Sequence, residues 1–129
     1  MSFETARLGA LPDATAPDGS DVRILCSASR GSLAHFTLPP QAVSRAMAHR
    51  TVEEVWYFIL GRGQMWRRTP DREEIVDVEP GVAVTIPVGT HFQFRSTSPE
   101  SLSAIGTTMP PWPGEGEAFA VDGIWEPTV

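Results

Sequence analysis

The sequence predicts an all-β domain, a sandwich, jelly roll or closed barrel, and three observations carry that prediction. Twelve prolines and eleven glycines cut the chain into short segments joined by turns, which suits strands better than long helices. Residues 55–60, Val-Trp-Tyr-Phe-Ile-Leu, form an unbroken apolar run that is nearly all β-branched or aromatic. Such a run is too short for a lone helix and is expected to be a strand buried on both faces. Elsewhere the apolar residues recur at every second position, as in Val82, Val84 and Ile86, the period of a strand with one face inward.

At 129 residues the chain suits one domain with one sizeable core. Apolar residues make up 41% and charged residues 20%, a balance that folds rather than staying disordered. The formal charge of -6 argues against nucleic acid and anionic membrane surfaces as partners, because phosphate binding leans on clustered cations. Cys26 is the single cysteine, so no disulfide can form within the chain. No signal-like apolar stretch follows Met1 and no run approaches bilayer length, so the expected location is cytoplasmic and no membrane is expected as a partner.

Residues 1–21 hold Pro12, Pro17 and Gly19 without clear periodicity and read as an N-terminal arm, which Phe3 and Leu8 could anchor to a core or a neighbouring subunit. Residues 22–26 are the first convincing strand. Residues 32–38 are the second, with Ala34, Phe36 and Leu38 on one face and Leu33, His35 and Thr37 on the other; Pro39-Pro40 ends it. Residues 41–50 have room for a helical turn, though an irregular approach to the central run suits them equally. Gly61-Arg62-Gly63 turns the chain after that run, since glycine takes the positive φ that a tight reversal needs. Residues 64–68 return as a hairpin strand, Thr69-Pro70-Asp71 turns again, and residues 75–78 form another strand. Glu79-Pro80-Gly81 leads into residues 82–86, Pro87-Val88-Gly89-Thr90 breaks them, and residues 91–95 and 102–108 supply the last two strands. The tail, residues 110–129, begins Pro110-Pro111-Trp112-Pro113, too rich in proline for an interior strand. It is expected to pack on the barrel or on a partner subunit.

Two of these stretches carry a family resemblance. Glu54-Val-Trp-Tyr-Phe-Ile-Leu-Gly61 resembles the end of the first motif of the cupin superfamily, a glutamate before a buried strand and a glycine turn. Pro80-Gly81-Val-Ala-Val-Thr-Ile-Pro87-Val-Gly89 resembles the start of the second. The resemblance implies a cupin-type double-stranded β-helix over residues 22–109, a conserved jelly-roll barrel that is often dimeric and has a pocket inside. In metal-binding relatives that pocket holds two histidines and a glutamate from the first motif and a histidine from the second. Aligned on Glu54, the first histidine position falls on Met47 and the second on His49. The second motif places Phe92 where its histidine belongs, with His91 one residue early.

That offset leaves two registers open, because one residue along a strand turns a side chain to the opposite face. In one, Phe92 and Phe94 point inward and apolar packing overwrites the metal site; burying both is worth about 2 to 3 kcal/mol each. In the other, His91 and Gln93 turn inward beside His49 and Glu54 and give a partial ligand set for a divalent first-row metal (Fe, Mn, Ni or Zn). The candidate pocket is His49, Glu54, Trp56, Phe92 and Gln93; the candidate metal ligands are His49, Glu54 and His91; the candidate proton-moving group is Glu54. Each has a plainer reading. His49 with Glu54 could be a hydrogen-bonded polar pair inside a barrel, since buried polar groups need partners anyway. His35 reads as a surface or interface histidine and Glu53 as solvent-facing. Trp56 and Trp66 read as core or interface packing, and the run of Arg67, Arg68, Asp71, Arg72, Glu73 and Glu74 as a solvated face.

Phosphate loops, Cys-x-x-Cys pairs, nucleophile elbows and His-Glu-x-x-His helices are absent from the sequence. The leading expectation is therefore a small-molecule-binding barrel with a reduced or absent metal site. The alternatives are a metal-dependent dioxygenase or isomerase using His49, Glu54 and His91, and a self-associating module, expected to be a homodimer, whose apolar arms (Phe3, Leu8, Trp112, Phe119, Trp125) pack on a second subunit.

Overall fold

The computed structural model describes residues 3–129, and those residues form eleven strands with no helix of a length or apolarity to cross a membrane. In chain order they are β1 (Ala14–Thr15), β2 (Asp21–Ser27), β3 (Ser32–Leu38), β4 (Met47–His49), β5 (Glu53–Leu60), β6 (Gly63–Thr69), β7 (Arg72–Val78), β8 (Ala83–Ile86), β9 (His91–Ser96), β10 (Leu102–Met109) and β11 (Ala118–Ala120). Two sheets result, β1-β2-β3-β10-β5-β8 and β11-β4-β9-β6-β7, with the pairings antiparallel. The chain passes back and forth between them from β3 onward, the winding of a jelly roll. Both sheets turn apolar side chains inward, and Leu38, Trp56, Phe58, Met65, Ile86, Phe92, Phe94 and Leu102 form the buried centre.

The central run differs from expectation. β5 alternates along its length: Glu54, Trp56 and Phe58 are buried, while Val55, Tyr57 and Ile59 are exposed. Val55, Tyr57 and Ile59 stay open on the outer side of the first sheet, so an apolar run predicted to be buried on both faces is buried on one. The Gly61 turn does behave as its sequence requires. Gly61 has φ 77°, and a Cβ there would run into the Ser101 carbonyl, so the hairpin between β5 and β6 needs glycine twice over.

The tail covers part of the outer face of the second sheet, while Ile75 on β7 stays exposed. Phe119 lies 4.6 Å beneath the Arg50 guanidinium and Trp125 lies 4.3 Å beneath that of Arg95. Phe119 and Trp125 of the tail thus rest on side chains of their own chain. The arm is likewise tied to its own chain: Arg23 Nε and Nη2 donate to the Gly9 and Ala10 carbonyls at 2.8 and 3.0 Å, and β1 pairs with β2. Phe3 nevertheless stays fully exposed.

Candidate functional site

Between the sheets, at the end where β5 begins, lies a cavity of about 320 Å³. Its walls are aromatic and aliphatic, and its polar groups are few. Phe36 from β3 stacks on Trp56 from β5 at 4.9 Å between ring centroids, Phe92 from β9 stands edge-on to Trp56 at 6.1 Å, and Ile24 and Trp112, both partly exposed, stand at the rim. The stack rests on a missing side chain, because a Cβ at Gly106 would come within 2.8 Å of both rings.

Strand alternation delivers the polar groups. Glu54 shares the inward face of β5 with Trp56, and His49 comes from the short strand β4, beside Met47 and Ala48. His49 Nδ1 and Glu54 Oε2 approach to 3.3 Å without lining up as a hydrogen bond, which leaves Nδ1 without a partner. Trp56 Nε1 is also buried and makes no well-aligned hydrogen bond, although it is close enough to Glu54 to act on its carboxyl. Buried donors and acceptors of this kind are rare in a finished core and common where a ligand or water completes the set.

The pair is electrically quiet at neutral pH. Burial pushes the Glu54 carboxyl up to about 8, against the pull of the Trp56 indole and with a further push from Asp18 and Glu117. Burial also holds the His49 imidazole below its usual value, and the Glu117 charge only partly offsets it. Desolvation disfavours the charged form of each, so Glu54 keeps its proton and His49 stays neutral at pH 7.

Sequence reasoning missed four contributors. Asp18 lines the cavity from the segment read as an arm; it is fully buried, which raises its pKa, while Ser20 lowers it by donating through its amide at 2.9 Å and its hydroxyl at 2.6 Å. The Asp18-Gly19-Ser20 turn chemistry was visible, but not its folding back over the barrel. Phe36 was read as a face residue of β3 without a site, and Trp112, 5.3 Å from the His49 ring, was assigned to a tail. Glu117, near β11, accepts from the Thr51 and Val52 amides at 2.8 and 3.1 Å and so fixes the loop between His49 and Glu54.

Two candidates are corrected. Gln93 does not line the cavity. It lies on the other face of β9 from Phe92, fully buried under the tail, where Nε2 donates to the Ser44 and Trp125 carbonyls at 2.9 and 2.8 Å and Oε1 accepts from the Ile124 and Trp125 amides at 3.0 and 3.1 Å. His91 shares that face, paired in register with Arg68, and does not reach His49 or Glu54. The structure therefore has the register with Phe92 and Phe94 inward. His35, read as a surface or interface residue, is buried within the chain, with Nδ1 3.4 Å from Thr37 Oγ1.

A first-row metal needs three or more protein donors in most sites, and the described residues bring no three His, Cys, Asp or Glu side chains together. His49 and Glu54 are two. Phe92, 5.2 Å from His49 between ring centroids, occupies the position from which β9 would supply another. The residues present do not fit a resident metal.

Neither a protein-family model nor a curated protein sequence matches the chain. Solved structures do. A Klebsiella pneumoniae protein with a double-stranded β-helix domain superposes with a TM-score of 0.67 at 10% identity, over 84% of this chain and 89% of that one. The cupin domain of Schizosaccharomyces pombe Cnp3 gives 0.64 at 9%, over 70% and 61%. The oxalate decarboxylase of Lactobacillus farciminis, in a formate complex, gives 0.69 at 18%, over 79% of this chain and only 31% of that one. At such identities the likeness shows the fold alone, and the fold is the cupin double-stranded β-helix.

Proposed function

We propose that this chain is a small-molecule-binding cupin barrel whose cavity takes a compact, uncharged, largely apolar ligand carrying one hydrogen-bonding oxygen, without a resident metal. The observation that carries this reading is the pairing of an aromatic-walled cavity of about 320 Å³ with an uncharged His49–Glu54 spot and the atoms His49 Nδ1 and Trp56 Nε1, neither of which makes a well-aligned hydrogen bond. Small-molecule sites have this character: mostly apolar, with a few placed polar groups. An anion is disfavoured because no Lys or Arg lines the cavity, and a bulky charged ligand would likewise meet no compensating cation inside. The protonated Glu54 and the Trp56 N–H are both donors, so a ketone or phenol oxygen suits them. Should a bound carbonyl compound turn over, Glu54 is the group placed to move a proton.

The test uses uncharged aromatic ketones and phenols, titrated in the presence of chelator and read by quenching of tryptophan fluorescence, since Trp56 and Trp112 line the cavity. Saturable binding that weakens in Glu54→Leu supports the reading. Near-stoichiometric Fe, Mn, Ni or Zn in the purified protein that disappears in His49→Ala would reject its metal-free part.

Self-association is a second reading, and the exposed Val55, Tyr57, Ile59 and Leu60 favour it. Trp112, Phe119 and Trp125 are engaged within their own chain, so the outer face of the first sheet replaces the tail as its surface. A monomer by light scattering at micromolar concentration would end this reading.

A further inference from the structure

A second, smaller pocket of about 130 Å³ opens between β6, β7 and the β8–β9 corner. Its lining includes Arg67, Arg68, Arg72, Glu74, Thr85 and Thr90, three cations against one carboxylate in a chain whose net charge is -6. Arg67, Arg68, Arg72 and Glu74 are expected from the sequence to belong to a solvated charge run, and for Arg67 that is not the outcome. Arg67 sits in register with Phe92 on the inward side of β6. Its Nη1 donates to the Thr85 carbonyl of the other sheet at 2.8 Å, and its Nη2 donates to Glu74 Oε1 at 2.7 Å. Arg72 Nη2 donates to Glu74 Oε2 at 2.7 Å. Glu74 thus orients two guanidinium groups and cancels one charge of three.

Two polar groups at this pocket are left over. Arg67 Nε is buried with no partner, and so is the Thr90 hydroxyl, on a residue that is 2% exposed. The Thr90 amide already donates to the Pro87 carbonyl at 3.1 Å, so the corner is fixed in place and the hydroxyl is free. A buried N–H on a cation and a buried hydroxyl, both unsatisfied and both on residues that line the same small space, cost stability unless something accepts from them. The two cavities share no lining residue. A ligand here is therefore independent of one in the barrel.

We propose that this pocket is a binding site for a compact oxyanion, a phosphate, a sulfate or a carboxylate group, which accepts from Arg67 Nε and Thr90 Oγ1 while Arg68 and Arg72 supply the remaining positive charge. Charge-assisted donors of a rigid guanidinium recognise such groups directionally. The pocket is too small for a nucleotide base and sugar, so the anion binds alone or as one end of an extended molecule.

Isothermal titration with sodium phosphate, sodium sulfate and sodium acetate, against sodium chloride at matched ionic strength, tests the site. Saturable binding of one of the three is expected, phosphate and acetate distinguishing a tetrahedral anion from a carboxylate. Thr90→Val removes a buried hydroxyl that has no protein partner, so its melting temperature in chloride should equal or exceed that of the unchanged protein while anion affinity falls about three- to tenfold. Arg72→Gln, at a largely exposed position, should weaken binding and flatten its salt dependence. No heat above the chloride control, or full affinity in both variants, overturns the proposal.

Discussion

Replacing Glu54 by glutamine should make the protein more stable, and by an amount that grows with pH. Burial raises the carboxyl from 4.5 to about 8, so between those values the folded chain holds a proton that the unfolded chain has released. The sign follows from linkage: stability falls as pH rises wherever the folded state binds more protons. The loss begins near the unfolded value, proceeds at about 1.4 kcal/mol per pH unit and levels off above the folded one. Its full size, from the shift of 4.5 to about 8, is about 5 kcal/mol. Glutamine keeps the shape and a donor and cannot ionise, so Glu54→Gln escapes this loss. Urea denaturation of both proteins from acid to alkaline pH isolates the effect, because other titrating groups largely cancel in the difference. The two should be nearly equal at about pH 4, and the variant ahead by about 3 to 4 kcal/mol at about pH 7. A difference that stays constant over that range would refute the claim that Glu54 is held neutral by burial.

Gly106→Ala should cost about 1 to 3 kcal/mol and weaken cavity binding, because the new methyl meets Phe36 and Trp56 at 2.8 Å; urea titration and tryptophan quenching read the two effects. Gln93→Leu should cost about 2 to 4 kcal/mol by leaving buried backbone groups of the tail unpaired, yet leave cavity affinity intact, since Gln93 lies outside the cavity. Glu117→Gln should lose about 1 to 3 kcal/mol at neutral pH. Burial works against ionisation of Glu117, but the Thr51 and Val52 donors win and lower its pKa, so its contribution is present above the free glutamate value and lost as pH falls through the folded one. The deficit of that variant should therefore shrink in acid, as chemical denaturation at several pH values will show.

Strands with their own sequence period were legible, and those defined by a partner were not. β3 runs over the predicted residues 32–38, and β5, β6, β9 and β10 differ from expectation by one or two residues at their ends. β1, β4 and β11 have two or three residues each, too few to show alternation. They exist because neighbouring edges supply hydrogen bonds. The His49–Glu54 pair was legible because an imidazole and a carboxylate stood at the mouth of the most apolar run. The facing of β9 was not, since His91-Phe92-Gln93-Phe94 alternates equally well in either register. Packing decided it: Phe92 and Phe94 complete the aromatic cluster around Trp56, while Gln93 finds four partners under the tail. Asp18 and Trp112 were hidden for a different reason. Proline-rich segments advertise where a strand stops, not where the chain goes next.

A crystal structure of the protein soaked with a bound aromatic ketone or phenol, with anomalous data at the Fe, Ni and Zn edges, addresses the metal-free binding cavity directly. The expected map has organic density between the Phe36–Trp56 stack and Trp112, an oxygen within hydrogen-bond distance of Glu54 or Trp56 Nε1, and no anomalous peak at His49. An ordered peak within bonding distance of both His49 and Glu54 would contradict the account.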